Sequence, residues 1–162
     1  MNGTELKIRI IGDPVLRKKA RPVAKITQRH KDILSQMARI MYESSGIGLA
    51  APQVGVDEAM LVVDIGRGGL YKLVNPRIVQ REGEQAIEEG CLSVPGVNVK
   101  VPRSRKIWLE ALDEDGKPVA LEAERLLACV FQHEIDHLLG KLIVDYVPVW
   151  KRWVLKKKIK NV

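Results

Sequence analysis

Glu124-Arg125-Leu126-Leu127-Ala128-Cys129-Val130-Phe131-Gln132-His133-Glu134-Ile135-Asp136-His137-Leu138-Leu139 is the segment around which the rest of the chain must be arranged. Its apolar residues extend nearly all the way around a helix, which marks it as central and buried rather than as a surface helix. Gly140 follows as a helix stop. His133 and His137 stand one helical turn apart and project from one face, so two imidazoles can grip a single metal ion. Glu134 then stands beside that ion's water. The pattern is short, and two hydrogen-bonded core histidines would leave the same trace. The third ligand and the flanking segments must discriminate.

Length and composition set the outer limits. With 162 residues, of which 46% are hydrophobic, the chain fits one compact domain with a substantial core. Residues 1–147 read as that domain and residues 148–162 as a basic C-terminal tail. The formal charge of +7 is unevenly spread: Lys151, Arg152, Lys156, Lys157, Lys158 and Lys160 crowd the end without an acidic residue among them. Such a tail suits contact with a polyanion, or is a solvated end. Two cysteines, Cys91 and Cys129, are too few for a disulfide scaffold, and Met1 to Pro14 lacks the apolar stretch of a secretory signal. Both point to a cytoplasmic location. The longest unbroken apolar run, Leu126 to Phe131, is far short of the ~18–20 residues that span a bilayer, so no membrane association is expected.

Upstream of the central helix the pattern alternates between helix and strand. Thr27 can cap a first helix whose apolar face is Ile33, Leu34, Met37, Ile40 and Met41, with Gly46 as its stop. His30 is expected on the exposed side of that helix and receives no role. Ala59 to Ile65 reads as a strand, Gly66 to Gly69 as a turn, and Leu70 to Val79 as a second strand interrupted by Asn75-Pro76. Lys106 to Asp113 and Pro118 to Glu124 flank Asp115-Gly116, a strong hairpin signal. The expected class is therefore α+β, with mainly antiparallel sheets packed around a central metal-binding helix.

A catalytic metal site needs three protein ligands and an open position. Cys129 shares the histidine face but lies eight residues from His137, ~12 Å along the axis, whereas donors around one tetrahedral ion are ~3–4 Å apart. It fits a pocket wall better. Cys91, in Glu88-Glu89-Gly90-Cys91-Leu92-Ser93, can be carried to the metal by a strand or loop crossing the helix; the alternative is an inert buried thiol.

Three blocks of this sequence, Gly46-Ile47-Gly48-Leu49-Ala50-Ala51-Pro52-Gln53, Glu89-Gly90-Cys91-Leu92-Ser93 and Gln132-His133-Glu134-Ile135-Asp136-His137, resemble in order and spacing the signature blocks of the bacterial peptide deformylases. The resemblance covers nearly the whole chain. It implies an enzyme that removes the formyl group from the N-terminal formylmethionine of nascent polypeptides, releasing formate and a free amine. It implies one divalent metal, Fe2+ in the cell, with Zn2+, Ni2+ or Co2+ as substitutes. By position it makes Cys91, His133 and His137 the ligands, Glu134 the acid and base, and the Gln53 side chain with the Leu92 amide the oxyanion donors.

Physical chemistry supports each implied role. A divalent ion acidifies its water toward a pKa of ~7, Glu134 is placed to take that proton, and the developing oxyanion needs fixed donors. The Cys91 thiolate suits iron or zinc and is also open to oxidation. Gly46 and Gly48 allow close approach of a peptide backbone, which could add to a strand edge. The resemblance places Ile47, Ile87, Leu126, Cys129 and Val130 around the methionine side chain; the competing reading of these aliphatics is plain core. Glu89, Arg103 and Asp136 could hold ligands in orientation, although Arg103 equally fits a surface ion pair. Three other classes stand against this reading: an internal-cutting metalloprotease, a zinc-stabilised domain without catalysis, and a basic RNA-binding module. The third is compatible with the enzyme, because the tail could dock on a ribosome, as the C-terminal helix of some family members does. Pro148 near its start argues against a long continuous helix.

Overall fold

Met60 to Val63 are all fully buried, although alternate side chains of a strand point to opposite faces. Such a strand needs cover on both sides, and the computed structural model, which describes residues 4–160, supplies a helix for each. Among the described residues are the helices α1 (Gln28–Glu43), α2 (Arg125–Leu138) and α3 (Arg152–Lys160). The strands are β1 (Gly48–Ala50), β2 (Met60–Val63), β3 (Tyr71–Glu82), β4 (Gln85–Cys91), β5 (Val94–Arg103), β6 (Lys106–Leu112) and β7 (Pro118–Glu124). One sheet has the order β1-β2-β3-β6-β7, β4 and β5 form a separate hairpin, and these strands all pair antiparallel. Leu61 and Val63 meet Ala128, Phe131 and Leu138 of α2. Met60 and Val62 meet Leu34, Met37 and Met41 of α1. Each large aliphatic side chain so enclosed contributes about 2 kcal/mol. This is the expected α+β architecture, with α2 at its centre.

Two local expectations are corrected. His30 is not a solvated residue: it is buried, its Nδ1 accepts the Thr27 backbone N–H at 3.0 Å, and its Nε2 lies 3.3 Å from Glu58. The imidazole satisfies a donor at the helix start that has no partner within the helix, which draws the ring inward. The second strand is not broken at Asn75-Pro76 but runs from Tyr71 to Glu82, with a register shift between Val74 and Arg77. Pro76, lacking an N–H, falls inside that shift, where the ladder needs no donor from it. Asn75 adopts a left-handed φ of 51°, which asparagine tolerates, and its side-chain amide pairs with both backbone groups of Val23 at 2.8 Å.

The β6–β7 hairpin turns at Asp115-Gly116 as the sequence suggests, with Gly116 at φ 82°. The β4–β5 hairpin was not visible as a unit in the sequence. Its Val94, Val97, Val99 and Val101 form a third core with Leu142, Ile143 and Val144 from the segment after α2. Leu155 and Ile159 of α3 pack against this core, and α3 begins beyond Pro148.

Candidate metal centre

The approach to α2 determines where its polar face points. Gln132, on an otherwise apolar stretch, donates to the Ser104 carbonyl at 2.8 Å and accepts the Ser104 N–H at 2.9 Å, matching one backbone unit as a strand neighbour would. This fixes the rotation of α2 and aims His133 and His137 at the β4–β5 turn. Cys91 ends β4 there. Its Sγ is 3.4 Å from His137 Nε2, which is 3.1 Å from His133 Nε2. One donor atom from each of the three residues lies within 4.8 Å of the others. Cys129 is outside this group, and burial pushes its thiol up to about 11, keeping it protonated.

The donor set fits a divalent cation. Burial alone would lower the His133 pKa, yet the Cys91 sulfur and the Glu89 carboxylate hold it up at about 10, so this corner favours a positive charge. Burial, with His133 beside it, drives His137 well below the ordinary range, leaving a neutral imidazole with a free lone pair. One sulfur and two nitrogens suit iron or zinc. Glu89 Oε2 lies 3.0 Å from His133 Nδ1, so the carboxylate can hold the hydrogen on that nitrogen while a bound cation would take the place of the proton on Nε2.

Glu89 is held in turn. Arg103 grips it through two bonds of 2.8 Å and reaches Asp136 at 2.6 Å, with the Arg103 side chain 3% exposed. The surface ion pair weighed for Arg103 is thus a buried, bidentate one. Tyr146, which carried no signal in the sequence beyond being a lone tyrosine after α2, donates to the same Asp136 oxygen.

Glu134 is 3% exposed and its Oε2 has no hydrogen-bond partner among the described residues. Burial raises its pKa to about 7. Its Oε1 occupies the space above Gly48, where an added Cβ would stand 2.6 Å from the oxygen and 2.9 Å from Val130 Cγ1. Gly48 therefore makes room for the carboxylate, a use the sequence did not suggest. Gln53 is buried in the turn Ala51–Val54. Its Oε1 accepts the Ala50 N–H at 2.9 Å, and its Nε2 is directed at Ser93 Oγ, 3.2 Å away, and at Cys91 Sγ, 3.7 Å away. The amide thus presents its N–H side to the sulfur. Ser93 is a further residue that sequence reasoning left without a role.

A cleft of about 450 Å3 opens over these groups. Gly46, Ile47, Gly48, Ile87, Leu126, Cys129 and Val130 all line it, with Gln53, Cys91, Leu92, His133 and Glu134. Ile47 and Leu126 are more than 40% exposed at its mouth, while Cys129 and Val130 are buried in its wall. This graded apolar lining ending at a polar floor can take a flexible apolar side chain with an amide at its root.

Comparison with known proteins gives one family. The polypeptide deformylase family model matches residues 5–153. A peptide deformylase of Halothermothrix orenii is 52% identical over 143 residues, 88% of this chain and 93% of the relative. The crystal structure of a peptide deformylase from Legionella pneumophila superposes with a TM-score of 0.92 at 42% identity, covering 96% of this chain and 94% of that one. A peptide deformylase from Synechococcus elongatus, solved in complex with actinonin, gives 0.89 at 37% identity, covering 99% and 89%.

Proposed function

This chain belongs to the polypeptide deformylase family, a hydrolase that frees the formylated N-terminus of nascent polypeptides as formate and an amine, and we propose that Cys91, His133 and His137 hold its metal while Glu134 is its acid and base. The observation that carries the reading is the meeting of the three donors from β4 and α2 within 4.8 Å, beside a buried carboxylate with one unpartnered oxygen. A divalent ion bound there supplies a water acidic enough to act as nucleophile near neutral pH. Glu134 takes a proton at Oε2 and later delivers it to the leaving nitrogen; a carboxyl with pKa near 7 can do both. Gln53 Nε2 and the Leu92 N–H would stabilise the oxygen that gains charge. Gly46 lets the peptide backbone lie close, and Ile47, Ile87, Leu126, Cys129 and Val130 would enclose the methionine side chain. Residues 1–147 would be the catalytic domain.

Family resemblance points to Fe2+ in the cell, with Zn2+, Ni2+ or Co2+ as substitutes, and a reducing cytoplasm would protect the oxidation-prone thiolate ligand. The described residues contain no helix long and apolar enough to cross a membrane. The tail at 148–162 carries Trp150 and Trp153, which are 70% and 60% exposed, with Lys151 and Lys157 over their rings. Aromatic faces interleaved with lysines suit RNA, and we propose that they contact the ribosome. Co-sedimentation with ribosomes should weaken steeply as salt rises; absent or salt-insensitive binding would remove this partner.

The activity is tested by formate release from a formyl-Met tripeptide with nickel-loaded protein. Formate should appear, and Cys91→Ala should lose bound metal and activity together. Internal cleavage of unformylated peptides instead, by folded and metal-replete protein, would assign a metalloprotease.

A further inference from the structure

We propose that Tyr146 is a positioning residue for His133, acting through Asp136, Arg103 and Glu89, and that its hydroxyl governs how firmly the centre retains its metal. The inference rests on the ligand assignment above. Tyr146 closes the turn Ile143–Tyr146, outside the three sequence blocks. Its hydroxyl donates to Asp136 Oδ2 at 2.6 Å, the oxygen that also accepts Arg103 Nη1 at 2.6 Å. Arg103 Nη1 donates to the tyrosine oxygen at 3.2 Å as well, and the guanidinium carbon lies 5.1 Å from the ring centre. Arg103 Nε and Nη2 then hold the two oxygens of Glu89, whose Oε2 meets His133 Nδ1 at 3.0 Å. An unbroken path of short polar contacts thus runs from Tyr146 to a metal ligand.

The two bonds along its Glu89 edge align guanidinium and carboxylate with each other but leave the pair free to shift as a unit. Anchoring Nη1 from the opposite side removes the freedom, and only then is the Glu89 oxygen a fixed acceptor for the imidazole. Tyr146 and Asp136 together are that anchor. Tyr146 cannot do this by touching substrate. With Arg103 and Asp136 it lines a second cleft of about 670 Å3, on a different face of α2, and no residue lines both clefts.

Tyr146→Phe removes the hydroxyl and keeps the ring over Arg103. In the Co2+-loaded protein it should speed metal release to a chelator about tenfold or more, in line with the ~10–100-fold effects of such outer groups on metal affinity. KM for a formyl-Met peptide at metal saturation should not change, and the melting temperature of the metal-free protein should fall by no more than about a few degrees. Asp136→Asn should act in the same direction, and the double variant should release metal no faster than Asp136→Asn alone. Release at the wild-type rate from Tyr146→Phe, additive effects in the double variant, or faster release that merely follows a fall in metal-free stability would each overturn the proposal. A thiolate-to-cobalt absorption band in the wild type, lost in Cys91→Ser, separates these results from failure of the ligand assignment. Its persistence in Cys91→Ser would overturn that assignment and this inference with it.

Discussion

Glu134→Gln should lower formate release about 1,000-fold with metal content unchanged. Proton transfer by a placed side chain contributes typically ~10²–10⁴, and in the proposed mechanism Glu134 would transfer the proton twice. A 1,000-fold loss corresponds to about 4 kcal/mol of barrier. Glutamine keeps the shape that fits above Gly48, and the residue it replaces has no hydrogen bond to the three donors, so binding of metal and peptide should survive. Stability should not fall, because the substitution removes a buried carboxyl with an unpartnered oxygen. Gly48→Ala approaches the same group from the other side: the new methyl would lie 2.6 Å from Glu134 Oε1, with Val130 at 2.9 Å blocking retreat, so the carboxylate must swing away. Its turnover should drop with Glu134 still present. Turnover with metal analysis on each preparation checks both. Glu134→Gln within tenfold of wild type would transfer the acid–base role elsewhere.

The contrast between Gly48 and His137 shows what a sequence can reveal of such a site. A helix imposes its own spacing, so His133 and His137 could be placed on one face, and Cys129 set aside as a ligand, before any coordinates. The same regularity makes α1 and the all-round burial of α2 readable, and the turn chemistry of Asp115-Gly116 does so for its hairpin. Gly48 faces Glu134 across a gap of 86 residues, and no local pattern encodes that a carboxylate will fill the place of a missing side chain. His30 departs from its expected exposed position for a related reason. A helical wheel assigns faces, but it does not foresee an imidazole folding back onto its own N-terminus to meet Glu58. Asn75-Pro76 looked like a strand break because proline lacks a donor, and the sheet absorbed it with a register shift. The β4–β5 hairpin, whose inward valines face residues 142–144, depends on a partner formed later in the chain. Local signals point to the chemistry, while long-range packing determines how each group is held.

That packing is most exposed to test at Arg103, where removal of one side chain should destabilise the protein by about 3–5 kcal/mol, a large share of the ~5–15 kcal/mol that keeps a domain folded. Arg103→Met keeps the buried volume and removes the charge. Glu89 and Asp136 would then lose the guanidinium that joins them, and the Glu89 side chain is 6% exposed, too enclosed for water to replace the two bonds of 2.8 Å. Burial works to raise the Glu89 pKa, and Arg103, followed by His133, holds it below the ordinary carboxylate range. The loss comes from the carboxylates left behind rather than from the worth of the pair, since a buried ion pair gains little over apolar residues of the same shape. Adding Glu89→Gln to Arg103→Met should therefore recover part of the stability by removing one stranded charge. Metal retention should not recover, because glutamine cannot hold His133 as the carboxylate does. Urea denaturation of the metal-free proteins measures the first quantity and chelator challenge the second. Equal destabilisation in the single and double variants would mean that Arg103 matters for its packing rather than for the charges it neutralises, and recovery of both quantities would mean that Glu89 does not orient the ligand.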